Sequence, residues 1–221
     1  MGLNVTGAGL TLTVLSLAVC PALSRPSTAA GIAPQATGSV SAVKQASPPA
    51  PSLVRRDFDV PVLVKAEGFQ LVPLGPDLVD KDYAAYMSSI DHLQRTFSRS
   101  TSWPRPNITA SEAMHDMQSE QARFKNRTSF AYAVLTPDGS RERGCVYVYP
   151  SPVAGYDATV RMWVTKADFD AGFDTKLYAW VTGWIKKDWP FAKVTYPGRS
   201  IDWESWSALV AANKVTKSRS D

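Results

Sequence analysis

The chain has 221 residues, 44% of them hydrophobic and 20% charged, with seven Trp and a net charge of +4. That is enough for one domain with a real core plus an additional segment, and too weakly basic for nucleic-acid binding, which needs a clustered basic face. The first 50 residues hold two basic residues and no acidic one, leaving 22 basic against 20 acidic in a nearly neutral remainder. Of the two cysteines, Cys20 and Cys145, only Cys145 survives removal of the N-terminus, so no intrachain disulfide is then available.

Residues 3–23 form a compact apolar run followed by small residues suited to a signal peptidase. No Lys or Arg precedes the run, and it is nearly long enough to span a bilayer. Residues 1–24 therefore read as a signal peptide or a membrane anchor, with an exported or membrane-tethered protein behind it and transient membrane contact through residues 3–23. Leu17 to Cys20 resembles a lipoprotein box, although Val19 fits poorly before the cysteine. Arg55-Arg56 follows the apolar run and is no twin-arginine signal. Residues 25–57 are rich in Ala, Ser and Pro and read as a flexible linker, because they bury too little to offset ordering entropy.

The domain is placed at 58–212. Phe69 to Leu74 reads as a strand closed by Gly75-Pro76. Asp80 opens a helix with Tyr83, Met87, Ile90 and Leu93 on one face. Thr109 and Glu112 have capping-box spacing and open a second helix carrying Ala113, Met114, Met117 and Phe124. Phe130 to Leu135 is apolar on both faces, as in a buried strand. Pro137-Asp138-Gly139 turns the chain. Cys145 to Tyr149 returns, and Asp157 to Thr165 makes a third strand of the group. A helix starts near Asp174 with Leu177, Val181, Trp184 and Ile185 at helical spacing, and Pro190 ends it. Ala192 to Tyr196 is a short last strand. Glu204 to Ala212 forms a short helix, and 213–221 is a frayed basic tail.

This order of strand, two helices, three strands, helix and strand resembles the GNAT N-acetyltransferase superfamily over about residues 68–212. The resemblance implies an α/β domain with a mixed, mostly antiparallel sheet flanked by helices. It places the family's pyrophosphate loop, R/Q-x-x-G-x-G/A, on Phe169-Asp170-Ala171-Gly172-Phe173-Asp174, where Gly172 alone matches. It implies acetyl-CoA as co-substrate, held by Trp163, Val164, Thr165, Gly172, Phe173, Asp174 and Thr175, with backbone N–H groups facing the phosphates. It puts a cleft where the third and last strands of this group splay near Val164 and Tyr196, with Tyr196 as proton donor to the leaving thiolate. The implied activity is acyl transfer from acyl-CoA to a small-molecule or peptide amine. The other reading is a non-catalytic exported binding domain, because Asp168, Asp170 and Asp174 bring three negative charges to the expected phosphate loop.

Plainer roles stand beside these. Asp174 can cap its helix, Tyr196 can be a strand-end aromatic, and Cys145 a small core residue. Asp168 to Gly172 misses calcium-loop spacing, and Ala179 stands where the closing Glu is needed. No cluster of His, Cys or carboxylates has metal spacing, so no metal is expected. His92 and His115 read as partly exposed helix positions, and no G-x-S-x-G elbow seats a nucleophile. Asn107-Ile108-Thr109 and Asn126-Arg127-Thr128 are glycosylation sequons.

Overall fold

A computed structural model describes residues 51–220. The apolar run at 3–23 and the linker up to residue 50 lie outside the described residues. No described helix is long and apolar enough to cross a membrane.

Six strands form one sheet in sequence order: β1 (Val64–Ala66), β2 (Phe69–Pro73), β3 (Phe130–Leu135), β4 (Glu142–Pro150), β5 (Ala158–Val164) and β6 (Val194–Thr195). All neighbouring pairs are antiparallel except β5 and β6, which are parallel. Helices α1 (Val79–Met87), α2 (Ile90–Leu93) and α3 (Ala110–Lys125) lie between β2 and β3 in the chain. Between β5 and β6 come α4 (Lys166–Asp170) and α5 (Phe173–Asp188), and α6 (Trp203–Ser220) follows β6. This is the mixed, mostly antiparallel layout expected of a GNAT-type domain.

β3 shows why the sheet is central. Phe130, Tyr132 and Val134 enter the core on the α5 side, while Ala131, Ala133 and Leu135 enter the core under α1 and α3. Both faces are covered, so the strand is apolar at every position. Leu177, Val181, Trp184 and Ile185 of α5 are all buried against the sheet. The Thr109–Glu112 capping box is present and fixes the start of α3.

Several boundaries differ from expectation. Val54 belongs to the core and the Leu53 N–H donates to the Arg127 carbonyl, so packed structure begins before Phe58. The helix expected through Leu93 breaks at Ser88–Ser89, where the Ser88 side chain bonds back to the Ala85 carbonyl. A π-helical turn, Gln94–Ser98, then carries the chain to Arg99 in the left-handed region. In place of a frayed tail, α6 continues to Ser220. Asn213 on that helix accepts from the Ala154 N–H and donates to the Pro152 carbonyl.

β4 carries an irregularity that matters below. Its register against β3 shifts so that Leu135 faces Glu142 while Val134 faces Gly144. Two residues three apart, Glu142 and Cys145, are thereby turned to the same face, whereas a regular strand would send them to opposite faces. Gly144 sits at φ 156°, and a Cβ there would lie 2.0 Å from the Trp163 carbonyl oxygen.

Candidate functional site

β5 and β6 pair only at Ala158–Val194 and Thr159–Thr195. Beyond that point they diverge and open a cleft of about 270 Å³. Arg161, Met162, Trp163 and Val164 of β5 form one wall, and Pro197, Gly198 and Arg199 form the other. The segment from His92 to Arg99 covers the cleft, with Phe169, Asp174 and Trp203 completing it.

The cleft is electropositive. Arg95, Arg99, Arg161 and Arg199 all reach it, and Asp174 is the one acid among its lining residues. Arg161 lies over the Phe97 ring at 4.4 Å and the Trp203 ring at 5.0 Å, and donates to the Phe97 carbonyl. Its Nε is buried without a hydrogen-bond partner, and among the described residues it has no salt bridge. Burial lowers the affinity of this guanidinium for its proton, with Tyr149 and Tyr147 opposing that effect. A buried cation with an unused donor is costly unless something anionic meets it.

The three aspartates do not make a repulsive loop. Asp168 is buried and takes hydrogen bonds from Arg141 at 2.7 and 3.2 Å, Arg143 at 2.7 Å and Thr165 at 2.6 Å. Burial pushes its carboxyl up, but these donors outweigh burial and hold it below the usual range. Asp170 pairs with Lys166. Asp174 is no helix cap, because Gly172 occupies that position, and it pairs with Arg199 instead.

The expected phosphate loop is also built differently. Thr165 caps α4 by accepting from the Asp168 N–H, and the Lys166 N–H donates to Ser89 Oγ at 2.8 Å. Two N–H groups that a phosphate could have used are thus already taken. Gly172, at φ 77°, turns the chain between α4 and α5, and no side chain caps α5.

Of the residues assigned to the cofactor from sequence, Trp163, Val164 and Asp174 line the cleft. Thr165 is a buried cap, Phe173 packs in the core with Arg143 3.4 Å above its ring, and Thr175 is exposed on α5. Tyr196 lies outside the cleft walls, edge-on to Tyr178 at 5.7 Å, with burial pushing its phenol up to about 12. His92 is buried against Phe169 at 4.7 Å rather than partly exposed, and burial lowers its pKa.

A second cavity of about 260 Å³ adjoins the cleft, and Phe97 and Arg161 line both. Its walls are aromatic, with Tyr86, Trp103, Tyr147 and Tyr149; its acids are Asp82, Asp116 and Glu120, and Arg123, paired with Glu120, lines it as well. Trp163 Nε1–H donates to the Tyr147 hydroxyl at 3.3 Å, tying the cleft wall to this cavity.

The sequence reading missed Arg95, Arg99, Arg161 and Asp82. Arg95 and Arg99 stand four apart, the spacing that puts two side chains on one helical face. Arg161 sits within an apolar strand and Asp82 beside Asp80 and Lys81, and neither setting gives a separate signal.

No protein-family model matches the chain, and no curated protein matches it. Solved structures do. The ribosomal-protein-S5-alanine acetyltransferase from Vibrio fischeri aligns at 13% identity over 69% of this chain and 81% of its own, with a TM-score of 0.49. The RimL ribosomal L7/L12 alpha-N-protein acetyltransferase in complex with coenzyme A aligns at 14% identity over 69% and 81%, with a TM-score of 0.44. In the apo form of RimL the match covers 57% of this chain and 64% of that one, at 14% identity and a TM-score of 0.40. The chain therefore spans less than two thirds of that last structure.

Proposed function

We propose that the domain transfers an acyl group from an acyl-CoA to a small-molecule or peptide amine. The observation that carries this reading is the arginine-lined cleft where β5 and β6 separate. A thioester placed along β5 would have its phosphates toward Arg95, Arg99 and the uncapped start of α5. The amine would come from the neighbouring aromatic and acidic cavity, which suits a cationic group. A neutral amine attacks the thioester carbonyl, the C–N bond forms, the C–S bond breaks, and the coenzyme leaves as thiolate. The surplus amine proton passes to water or a cavity carboxylate. Holding both reactants in adjoining cavities supplies most of what this reaction needs.

One observation favours a second reading, a domain that binds an anion without turnover. The N–H groups at the start of α4 are occupied by Thr165 and Ser89. Export, or tethering through residues 1–24, is part of either proposal and is tested by fractionating the native host.

Calorimetric titration of the full chain with acetyl-CoA, followed by a thiol-release assay over an amine panel, separates the readings. Saturable binding with amine-dependent thiol release supports transfer. Binding without release under any amine supports the second reading. No binding at millimolar acetyl-CoA sinks the acyl-CoA reading.

A further inference from the structure

Under α1, away from the arginine-lined cleft, Asp82 meets two groups of β4 that are distant from it in sequence. Asp82 comes from α1, and Glu142 and Cys145 from the irregular end of β4. Their ligand-capable atoms all lie within 4.8 Å of one another. Cys145 Sγ is 3.1 Å from Glu142 Oε1 and 3.5 Å from Asp82 Oδ1. Their relative exposures are 3% for Asp82, 2% for Glu142 and 0% for Cys145.

This cluster lacks the usual compensation. Among the described residues no Lys, Arg or His forms a salt bridge with either carboxylate. Glu142 Oε2 is buried with no hydrogen-bond partner at all. A thiol has one proton and can satisfy one carboxylate at a time. A buried carboxylate is normally paired, protonated or bound to a metal. A proton shared between Asp82 and Glu142, which lie within hydrogen-bond reach of each other, is the state that a metal would displace.

We propose that Asp82, Glu142 and Cys145 bind a zinc-class divalent cation. Around a tetrahedral zinc, with Zn–S about 2.3 Å and Zn–O about 2.0–2.2 Å, a sulfur and an oxygen ligand stand roughly 3.5 Å apart. The observed 3.1 and 3.5 Å separations need little adjustment. A thiolate combined with carboxylates favours zinc over magnesium or calcium, which take oxygen ligands. Two carboxylates and a thiolate carry three negative charges, which a divalent ion largely offsets. Asp82 also lines the aromatic cavity, which gives the ion an entry path and a water a fourth position. The register shift in β4 has a role in this arrangement, since it brings Glu142 to the same face as Cys145. The proposal does not require acyl transfer, although Asp82 also lines the cavity assigned to the amine.

The test uses the full chain, stripped with chelator and then titrated with zinc chloride by calorimetry, with cobalt(II) as spectroscopic probe. One zinc should bind per chain and raise the melting temperature, while magnesium and calcium should not. Cobalt should give a near-ultraviolet thiolate charge-transfer band. Cys145→Ser should lose that band, and Cys145→Ser, Glu142→Gln and Asp82→Asn should each weaken zinc binding by at least about tenfold. Cys20→Ser should retain both band and affinity. If a buried variant fails to fold, the wild-type cobalt spectrum and the Cys20→Ser control still decide the matter. Absence of one-to-one binding, a cobalt spectrum without a thiolate band, or full affinity in Cys145→Ser would overturn the proposal.

Discussion

Arg199 holds Asp174 through two hydrogen bonds of 2.5 and 2.6 Å, joining the segment after β6 to the first turn of α5. Both residues line the cleft, and Asp174 is buried. Asp174→Ala leaves the guanidinium without its carboxylate and should cost about 1.5–3 kcal/mol, the range for hydrogen bonds to charged groups. Urea denaturation at low and high salt checks this. A burial-protected pair keeps most of its contribution in high salt, so a loss that vanishes there would show the pair to be solvent-screened.

Ile185 is 1% exposed and faces the sheet from α5. Ile185→Ala should cost about 2–5 kcal/mol through lost burial and a residual cavity. An unchanged denaturation midpoint would mean that α5 presents a different face.

Gly144→Ala should destabilise the fold by at least about 2 kcal/mol, because its Cβ meets the backbone of β5 and no side-chain adjustment relieves it. Thermal melting measures this. Gly155 is the control: it also has positive φ, but a Cβ there meets nothing within 4 Å, so Gly155→Ala should cost less.

Asp168 sets a pH dependence. Burial raises its pKa, but the donors Arg141, Thr165 and Arg143 bring the net value below the ordinary one. A depressed carboxylate contributes stability above the unfolded pKa of about 4, and that contribution fades as pH falls through the lower folded value. Asp168→Asn should lower stability at pH 7 and flatten the acid limb below pH ~4. A variant with the wild-type acid slope would remove Asp168 from the account.

Arg95 and Arg99 are exposed on the turn that covers the cleft. Under the acyl-CoA reading, Arg95→Glu with Arg99→Glu should weaken acetyl-CoA binding by about tenfold or more, one such factor being 1.4 kcal/mol. Stability should stay within about 0.5 kcal/mol of wild type, as for surface changes. Equal affinity in the double variant would place the phosphates elsewhere.

The sheet was legible because its signals are local. Phe130 to Leu135 is apolar throughout, and that run is buried on both faces. The Thr109–Glu112 spacing announced a real capping box. The splay of β5 from β6 followed from the family resemblance, and the strands separate beyond Thr159. What stayed hidden depends on distant partners. Asp168 and Asp174 read as repulsive because their counterions Arg141, Arg143 and Arg199 lie 25 to 27 residues away, whereas the partner of Asp170, Lys166, is local. Asp82 and Cys145 are 63 residues apart, and no spacing rule joins them. Nor does the sequence disclose the shift in β4, where Gly144 leaves no room for a Cβ against the Trp163 carbonyl.

Arg161 is the boundary between the two cavities, and a boundary that carries charge transmits occupancy. An anion entering the cleft would draw the guanidinium off the Phe97 ring and remove positive potential from the chamber containing Asp82, Asp116 and Glu120. That chamber would then accept a cation more readily, so an acidic ligand on one side and a basic one on the other would bind with positive coupling. By linkage each would raise the other's affinity by the same factor. Cooperative binding of the two ligands would thus need no moving lid, only one side chain with two faces.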